Sequence, residues 1–386
     1  MTHFNSYQSE IYLQGLADVR PAFTTDPTRL EEAARAAMEP GPFGYVAGGA
    51  GSGATMRANR EAFDRWRIVP RMLTDATTRD LSVTVLGTRM PAPVLLAPVG
   101  VQSILHPEGE LATARAAAAL DLTMVLSTAS SHTIEDVAAA NGAGSRWYQL
   151  YWPSDNDVTV SLLQRARAAG YSTLVVTLDT WTLAWRPRDL DQSYLPFLHG
   201  IGTAIPYSDP AFLATLDKTP EQDPQLAVLR WIQTFTGTDH RWDQLPFLRE
   251  HWAGPIVLKG IQHVDDARRA VDAGMDGIVV SNHGGRQVDG AVGALDVLPE
   301  IAAAVGESLA VLFDSGVRCG ADAVKALALG ARAVLLGRTY AYGLALGGEA
   351  GVRHALRSVL ADLDSTVALS GHRTIAELTP DLLRRV

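Results

Sequence analysis

Eight short apolar runs, each followed by a segment with helical signatures, constrain this 386-residue chain more than any other feature. The runs are APVLLAPVG (92–100), TMVLSTA (123–129), RWYQLYW (146–152), STLVVTLDT (172–180), PIVLKG (255–260), GIVVSNHGG (277–285), AVLFDSG (310–316) and AVLLGR (333–338). They do not alternate polar and apolar residues, which fits parallel strands buried on both faces. Between them, HPEGELATARAAAAL places Pro107 and Glu108 in a first helical turn, and SHTIEDVAAA offers Ser131 or Thr133 as a cap. VDDARRAVDAG and CGADAVKALALG each end on glycine, the usual helix stop. Eight strand–helix repeats predict an α/β fold of the (β/α)8 TIM-barrel type. A doubly wound sheet is the alternative, but it needs no eighth repeat and usually carries a nucleotide loop after its first strand.

Two regions break the rhythm. Residues 1–90 precede the first strand and read as an N-terminal extension packed on the barrel, with a helix-like segment at 27–38 and a GGAGSG stretch. The barrel then occupies 91–386, and a single domain runs over about 20–380. An insertion after strand four, 187–254, far exceeds the usual loop of about 2–6 residues. It contains Pro196, Pro206, Pro210, Pro220 and Pro224. Its place at the C-terminal face predicts an active-site lid, the alternative being a partly disordered insertion that serves packing or assembly. The RAR stretch at Arg165 reads as a solvated helix face.

The net charge is −9, without a long basic run, which argues against nucleic acid as the main partner. A small anion remains possible, since a pocket needs only a few cations. With one cysteine, Cys319, no internal disulfide and no cysteine metal cluster can form, and no metal site is expected. MTHFNSYQSE lacks the features of a signal peptide, and no apolar run reaches the roughly 18 residues of a membrane span. A soluble cytoplasmic protein is expected. H-E-x-x-H, the P-loop lysine motif and G-x-S-x-G do not occur. A relaxed dinucleotide pattern at Gly49, Gly51 and Ala54 does not follow an apolar strand and reads as a loop, and His106 reads as a helix-start residue.

In a barrel, chemistry collects where the strands end. Glycine and arginine recur after the last two strands, as Gly316 with Arg318 and Gly337 with Arg338, and this pattern predicts a phosphate site. Ser127, Gln149 and Thr177 can hydrogen-bond the polar edge of a flat heteroaromatic ring. Lys259 would be a cation buried on a strand, costly unless it meets an anion such as a reduced flavin. Arg186 and Arg286 could grip a carboxylate from two sides. His283 would then be a base, with Asp179 orienting it and stabilising its protonated form.

SNHGGRQVDG, FDSGVRCGADAVKALALGARAVLLGR and LAPVGVQSILHPEGELATARAA resemble the FMN-dependent 2-hydroxy acid oxidase and dehydrogenase family, from about Tyr45 to near the C-terminus. The resemblance implies FMN as cofactor, held by Pro98, Val99, Gly100, Ser127, Gln149, Thr177, Lys259, Ser281, Asp314, Ser315, Gly316, Val317, Arg318, Gly337 and Arg338. It implies substrate contacts at Tyr45, Tyr151, Arg186, His283 and Arg286, with His283 the catalytic base beside Asp179 and Tyr151. Family members are commonly tetramers or octamers, so a homo-oligomer is expected.

A finer likeness, to the lactate 2-monooxygenase branch, rests on LYWPSDNDV, TLDTWTLAWRPRDLD, GRTYAYGLALGGEAGV and the long insertion. It implies oxidation of L-lactate, or a similar small L-2-hydroxy acid, with O2 to acetate, CO2 and water. The alternative is an oxidase that releases the keto acid and H2O2, acting on lactate, glycolate or mandelate. A third reading, from another class, is a non-catalytic or synthase-type barrel that binds a phosphorylated ligand. Gly100 stands where many family oxidases carry alanine, Ala129 where a tryptophan occurs, and Ser315 where glycine is commoner. Thr339 follows Gly337–Arg338 where proline is usual. The insertion is neither strongly basic nor continuously apolar, which disfavours a membrane quinone as electron acceptor.

Overall fold

The computed structural model describes residues 3–237 and 240–386; residues 1–2, and 238–239 within the expected insertion, lie outside the described residues. The eight apolar runs form eight parallel strands that close into a barrel. In chain order they are Val94–Leu96, Thr123–Ser127, Arg146–Tyr151, Leu174–Thr177, Ile256–Ile261, Gly277–Val280, Ala310–Phe313 and Ala333–Leu336. The first strand pairs with both the second and the eighth, so the sheet has no edge and the doubly wound alternative is excluded. Their near-complete burial accounts for the unbroken apolar runs.

The barrel interior is packed by Leu95, Val125, Trp147, Val175, Val257, Val279, Leu312 and Leu335. Val85 and Met90 join this cluster from a hairpin, Val83–Val85 with Thr88–Met90, that belongs to the N-terminal extension. The Trp147 indole donates to Thr88 Oγ1 at 3.1 Å. The extension therefore plugs one end of the barrel, while its helix Pro40–Ala47 brings Tyr45 to the other. The helix expected at 27–38 spans Leu30–Ala37. Pro107 and Glu108 precede their helix, which starts at Gly109, and Thr133 rather than Ser131 caps the next one, accepting from the Asp136 N–H.

The insertion is a chain of helices, Pro187–Leu190, Pro196–His199, Ala204–Tyr207, Pro210–Leu213, Pro224–Phe235, Trp242–Gln244 and Leu245–His251. Its middle part is anchored rather than loose. Ile205 and Phe212 are fully buried, and the buried Asp209 carboxylate accepts from Ser161 at 2.8 Å and Arg165 at 3.1 Å. This corrects the reading of Arg165 as a solvated face. Its guanidinium binds Glu135, Asp209, Ser208 Oγ and Ile205 O, and only Arg167 of that stretch is exposed. The Gly49–Ala54 segment is a loop as expected, and its N–H groups at Ser52 and Ala54 bind the Asp289 carboxylate at 2.6 and 2.8 Å. Among the described residues no helix is long and apolar enough to cross a membrane, and no group of three His, Cys, Asp or Glu is placed to hold a metal.

Candidate active site

Parallel pairing aligns the strand ends. Ser127 lies beside Gln149, and Thr177 lies between Tyr151 and Lys259. Above them opens a cavity lined by Tyr45, Pro98, Val99, Gly100, Tyr151, Thr177, Arg186, Lys259, His283 and Arg286. Asp314, Ser315, Gly316, Val317, Arg318, Gly337 and Arg338 line its far side. Ser127, Gln149 and Ser281 lie just behind this wall and are buried. Asp179 sits behind His283, facing a neighbouring aromatic cavity with Trp152, Trp181 and Trp242.

His283 Nδ1 lies 2.9 Å from Asp179 Oδ1 and 3.1 Å from Thr180 Oγ1. A carboxylate can only accept, so Nδ1 carries the proton and Nε2 keeps its lone pair. Burial lowers the His283 pKa, and Lys259 and Arg186 add to this against the opposing pull of Asp179, so the ring is neutral at neutral pH. Burial alone would raise the Asp179 pKa, but the His283 contact and Lys259 outweigh it and hold the carboxyl down at about 2. The fifth strand makes room for this pair. It bulges between Lys259 and Ile261, where Gly260 has φ +107°. A Cβ there would stand 2.9 Å from Asp179, so only glycine fits.

Lys259 has a resident counter-ion that the sequence reading did not identify. Its ammonium lies 3.0 Å from Asp314 Oδ2 and donates to Ser281 Oγ at 3.0 Å. Burial opposes the charge, yet Asp314 and Asp179 outweigh it and keep the lysine protonated. Arg186 and Arg286 make no salt bridge among the described residues. Arg186 Nε donates to Arg286 O and its Nη2 to Gln287 Oε1, while Gln287 Nε2 reaches Asp179 O at 2.6 Å. Arg286 Nη1 donates to Tyr45 O and to Gly48 O, and its guanidinium stacks 5.1 Å from the Tyr45 ring centroid. Burial, and then the neighbouring Arg186, push the Arg286 guanidinium down, the mark of a cation pair short of an anion.

The two arginines of the expected phosphate end differ in their partners. Arg338 spends its donors on Val46 O, Gly284 O and Gly48 O, and so braces backbone. Among the described residues the Arg318 guanidinium donates to Val317 O alone, from Nη1 at 3.1 Å. The helix Leu30–Ala37 closes this end, where Glu31 accepts from Tyr342 Oη at 2.9 Å. Ser315 lines the cavity but commits its hydroxyl elsewhere, accepting from Asn282 N and Gly284 N and donating to Asp314. Its φ of +79° explains why glycine is commoner there. The departure at Gly100 also has a cause, since an alanine Cβ would lie 2.7 Å from Ala129 O.

Thr180, Gln287 and the apolar wall of Phe197, Trp231, Ile232 and Phe235 escaped the sequence reading. Only Thr180, next to Asp179, carried a local signal. FMN fits the residues present. Gln149 Nε2 is buried without a partner, an amide donor waiting for a ring acceptor. A Cβ added at Gly337 meets nothing closer than 3.9 Å, so the wall beside the eighth strand is open.

A barrel whose mouth offers an orphan amide and a buried ammonium to a flat polar ring, beside a neutral imidazole, defines a flavin-dependent oxidoreductase. The chain belongs to the FMN-dependent dehydrogenase family, whose model matches residues 34–385. It is 51% identical over 388 residues to an FMN-dependent alpha-hydroxy acid dehydrogenase of Penicillium citrinum, covering 100% of this chain and 96% of that protein. It is 41% identical to an L-lactate oxidase of Lysinibacillus sphaericus, over 90% of each chain. The crystal structure of a mandelate oxidase superposes with a TM-score of 0.82 at 38% identity, covering 94% of this chain and 98% of that one. The protein is thus an FMN-dependent oxidoreductase of alpha-hydroxy acids.

Proposed function

We propose that this protein oxidises L-lactate or a similar small L-2-hydroxy acid with O2. The observation that carries this reading is the neutral His283, Nδ1 on Asp179, sharing one cavity with two guanidinium groups that make no salt bridge among the described residues. FMN would supply the two-electron acceptor, with O2 as the final oxidant in this reading. Arg186 and Arg286 take the substrate carboxylate, with Tyr45 and Tyr151 positioning it. His283 Nε2 accepts a proton from the substrate, and Asp179 stabilises the resulting imidazolium. Lys259 would set a buried positive charge beside the ring and stabilise negative charge there. Gln149 and Thr177 would hold the polar edge of the ring, and Arg318 the phosphate.

The insertion serves as the lid. Phe197, Trp231, Ile232 and Phe235 wall the cavity, and the part proposed to move lies between the Asp209–Arg165 anchor and the Ser154 N–H bond to Thr234 O at 2.9 Å. A lid that retains pyruvate beside peroxide directs the products to acetate, CO2 and water. A second reading is an oxidase that releases the keto acid and H2O2. The likeness to L-lactate oxidase and mandelate oxidase favours it, and the small Ala129 leaves room for a larger side chain. Aerobic turnover of L-lactate separates the two. Acetate in place of pyruvate supports the first, and stoichiometric pyruvate with free peroxide establishes the second. A homo-oligomer in the cytoplasm belongs to the same proposal; the exposed Leu16 and Trp185 are apolar surface that assembly would cover, which size-exclusion chromatography tests.

A further inference from the structure

The turn that carries His283 has an uncommon backbone. His283, Gly284 and Gly285 follow one another at φ +57°, +66° and +75°. A histidine in this left-handed region is strained unless its surroundings hold it there. The holding is done by side chains. Ser315 Oγ accepts from Asn282 N at 3.2 Å and from Gly284 N at 3.0 Å, one on each side of His283. Ser281 Oγ accepts from His283 N at 3.0 Å, and Asn282 Oδ1 accepts from Gly285 N at 3.0 Å. The Ser315 hydroxyl hydrogen goes to Asp314 Oδ1 at 2.8 Å. Asp314 Oδ2 meets Lys259, and Lys259 donates to Ser281, so the contacts close into a ring around the base. Ser315 is itself a non-glycine residue at φ +79°, a conformation kept despite its cost.

We propose that Ser315 is a positioning residue for the base, its hydroxyl clamping the turn at Asn282 and Gly284 so that His283 is held on Asp179 before substrate arrives. The proposal rests on His283 being the base. The groups facing His283 are Asp179, Thr180 and Arg186 from the segment after the fourth strand and Lys259 from the fifth strand. Losing the clamp loosens the Asp179 contact, the one influence that raises the affinity of the imidazole for a proton.

Two variants separate clamp from backbone strain. Ser315→Gly removes the hydroxyl and relieves the positive φ, whereas Ser315→Ala removes the hydroxyl and keeps the strain. Ser315→Gly should match or exceed the parent in thermal stability. Anaerobic flavin reduction by L-lactate should nevertheless slow by about tenfold, what one lost buried hydrogen bond is worth. KM should barely move, the acid limb of the rate profile should shift to lower pH, and the amides of 282–284 should exchange faster with deuterium. Ser315→Ala should show the same changes together with a lower melting temperature. Parental rate, pH profile and amide protection in Ser315→Gly would overturn the proposal. So would a rate loss that follows stability in both variants with the pH profile unmoved. If the parent enzyme reduces its flavin with no 2-hydroxy acid, the reading of His283 as base fails instead, and the amide exchange still tests the clamp.

Discussion

Replacing Asp179 by asparagine tests the geometry of the base directly. In the parent, Oδ1 accepts the His283 Nδ1–H at 2.9 Å, which leaves Nε2 as the acceptor. An asparagine can turn its NH2 toward Nδ1, which moves the ring proton to Nε2 and removes the base. Even without that exchange, one charge-assisted hydrogen bond is lost, worth about 1.5–3 kcal/mol. That corresponds to a fall of about 10- to 150-fold in the rate of flavin reduction. Tautomer exchange would deepen the loss. Asp179 does not face the cavity in which the carboxylate is placed, so KM should stay near the parental value. Asp179→Ala leaves Nδ1 only the Thr180 hydroxyl, 3.1 Å away, and offers no amide to force the exchange, so it should retain more activity than Asp179→Asn. Anaerobic stopped-flow reduction with L-lactate measures all three proteins. An Asp179→Asn enzyme that reduces its flavin at the parental rate, or one defective in KM alone, would refute this account of the base.

Three further outcomes follow from the same contacts. Gly260→Ala, which never reaches the cavity wall, should push Asp179 aside by its Cβ at 2.9 Å and show the kinetic defect of Asp179→Asn, read in the same stopped-flow assay. Lys259→Met should cost about 3–5 kcal/mol in chemical unfolding because Asp314 is left buried and unpaired, and adding Asp314→Asn should recover part of that loss. His283 has a depressed pKa in the folded protein, so protonation favours unfolding: the stability tied to it is full above the ordinary imidazole value and falls as pH drops below that value. Asp179 is also depressed, so its contribution is present above the ordinary carboxylate value and is lost as pH falls from there toward about 2. Activity should therefore persist below pH about 6.5, the unperturbed imidazole value, before its acid limb begins.

The barrel was legible because each strand is buried on both faces and announces itself without help from distant residues. The strand-end residues were legible for a related reason. Eight parallel strands deliver their C-terminal residues to one face, so Gln149, Thr177, Lys259 and His283 could be read as neighbours while far apart in sequence. The bracing was not legible. Asp289 on the Ser52 loop, Gln287 between Arg186 and Asp179, Arg165 on Asp209 and the Lys259–Asp314 pair join segments separated by tens to hundreds of residues. Such contacts follow no period, and an arginine on a helix looks the same whether solvent or a buried aspartate lies beside it.

The same distinction explains how the work divides between the mouth and the insertion. The groups proposed to recognise a hydroxy acid stand on or next to strands, and their positions are over-determined. Asp179 is fixed by His283 and Thr180, Lys259 by Asp314 and Ser281, and Arg286 by Tyr45 and Gly48. The wall opposite them is different in kind. Phe197, Trp231, Ile232 and Phe235 present apolar side chains to the cavity, and the last three sit on one helix, Pro224–Phe235, which is tied to the barrel near its end by the Ser154 N–H on Thr234 O at 2.9 Å. Apolar packing tolerates sliding, whereas a ring of charged hydrogen bonds does not. In the proposed function, proton transfer depends on residues that cannot move without losing several bonds at once, and retention of the keto acid on residues held mainly by apolar packing. Substitutions on the Pro224–Phe235 helix should accordingly change the acetate-to-pyruvate ratio at a nearly constant rate of flavin reduction. Substitutions around His283 should change that rate at a constant ratio.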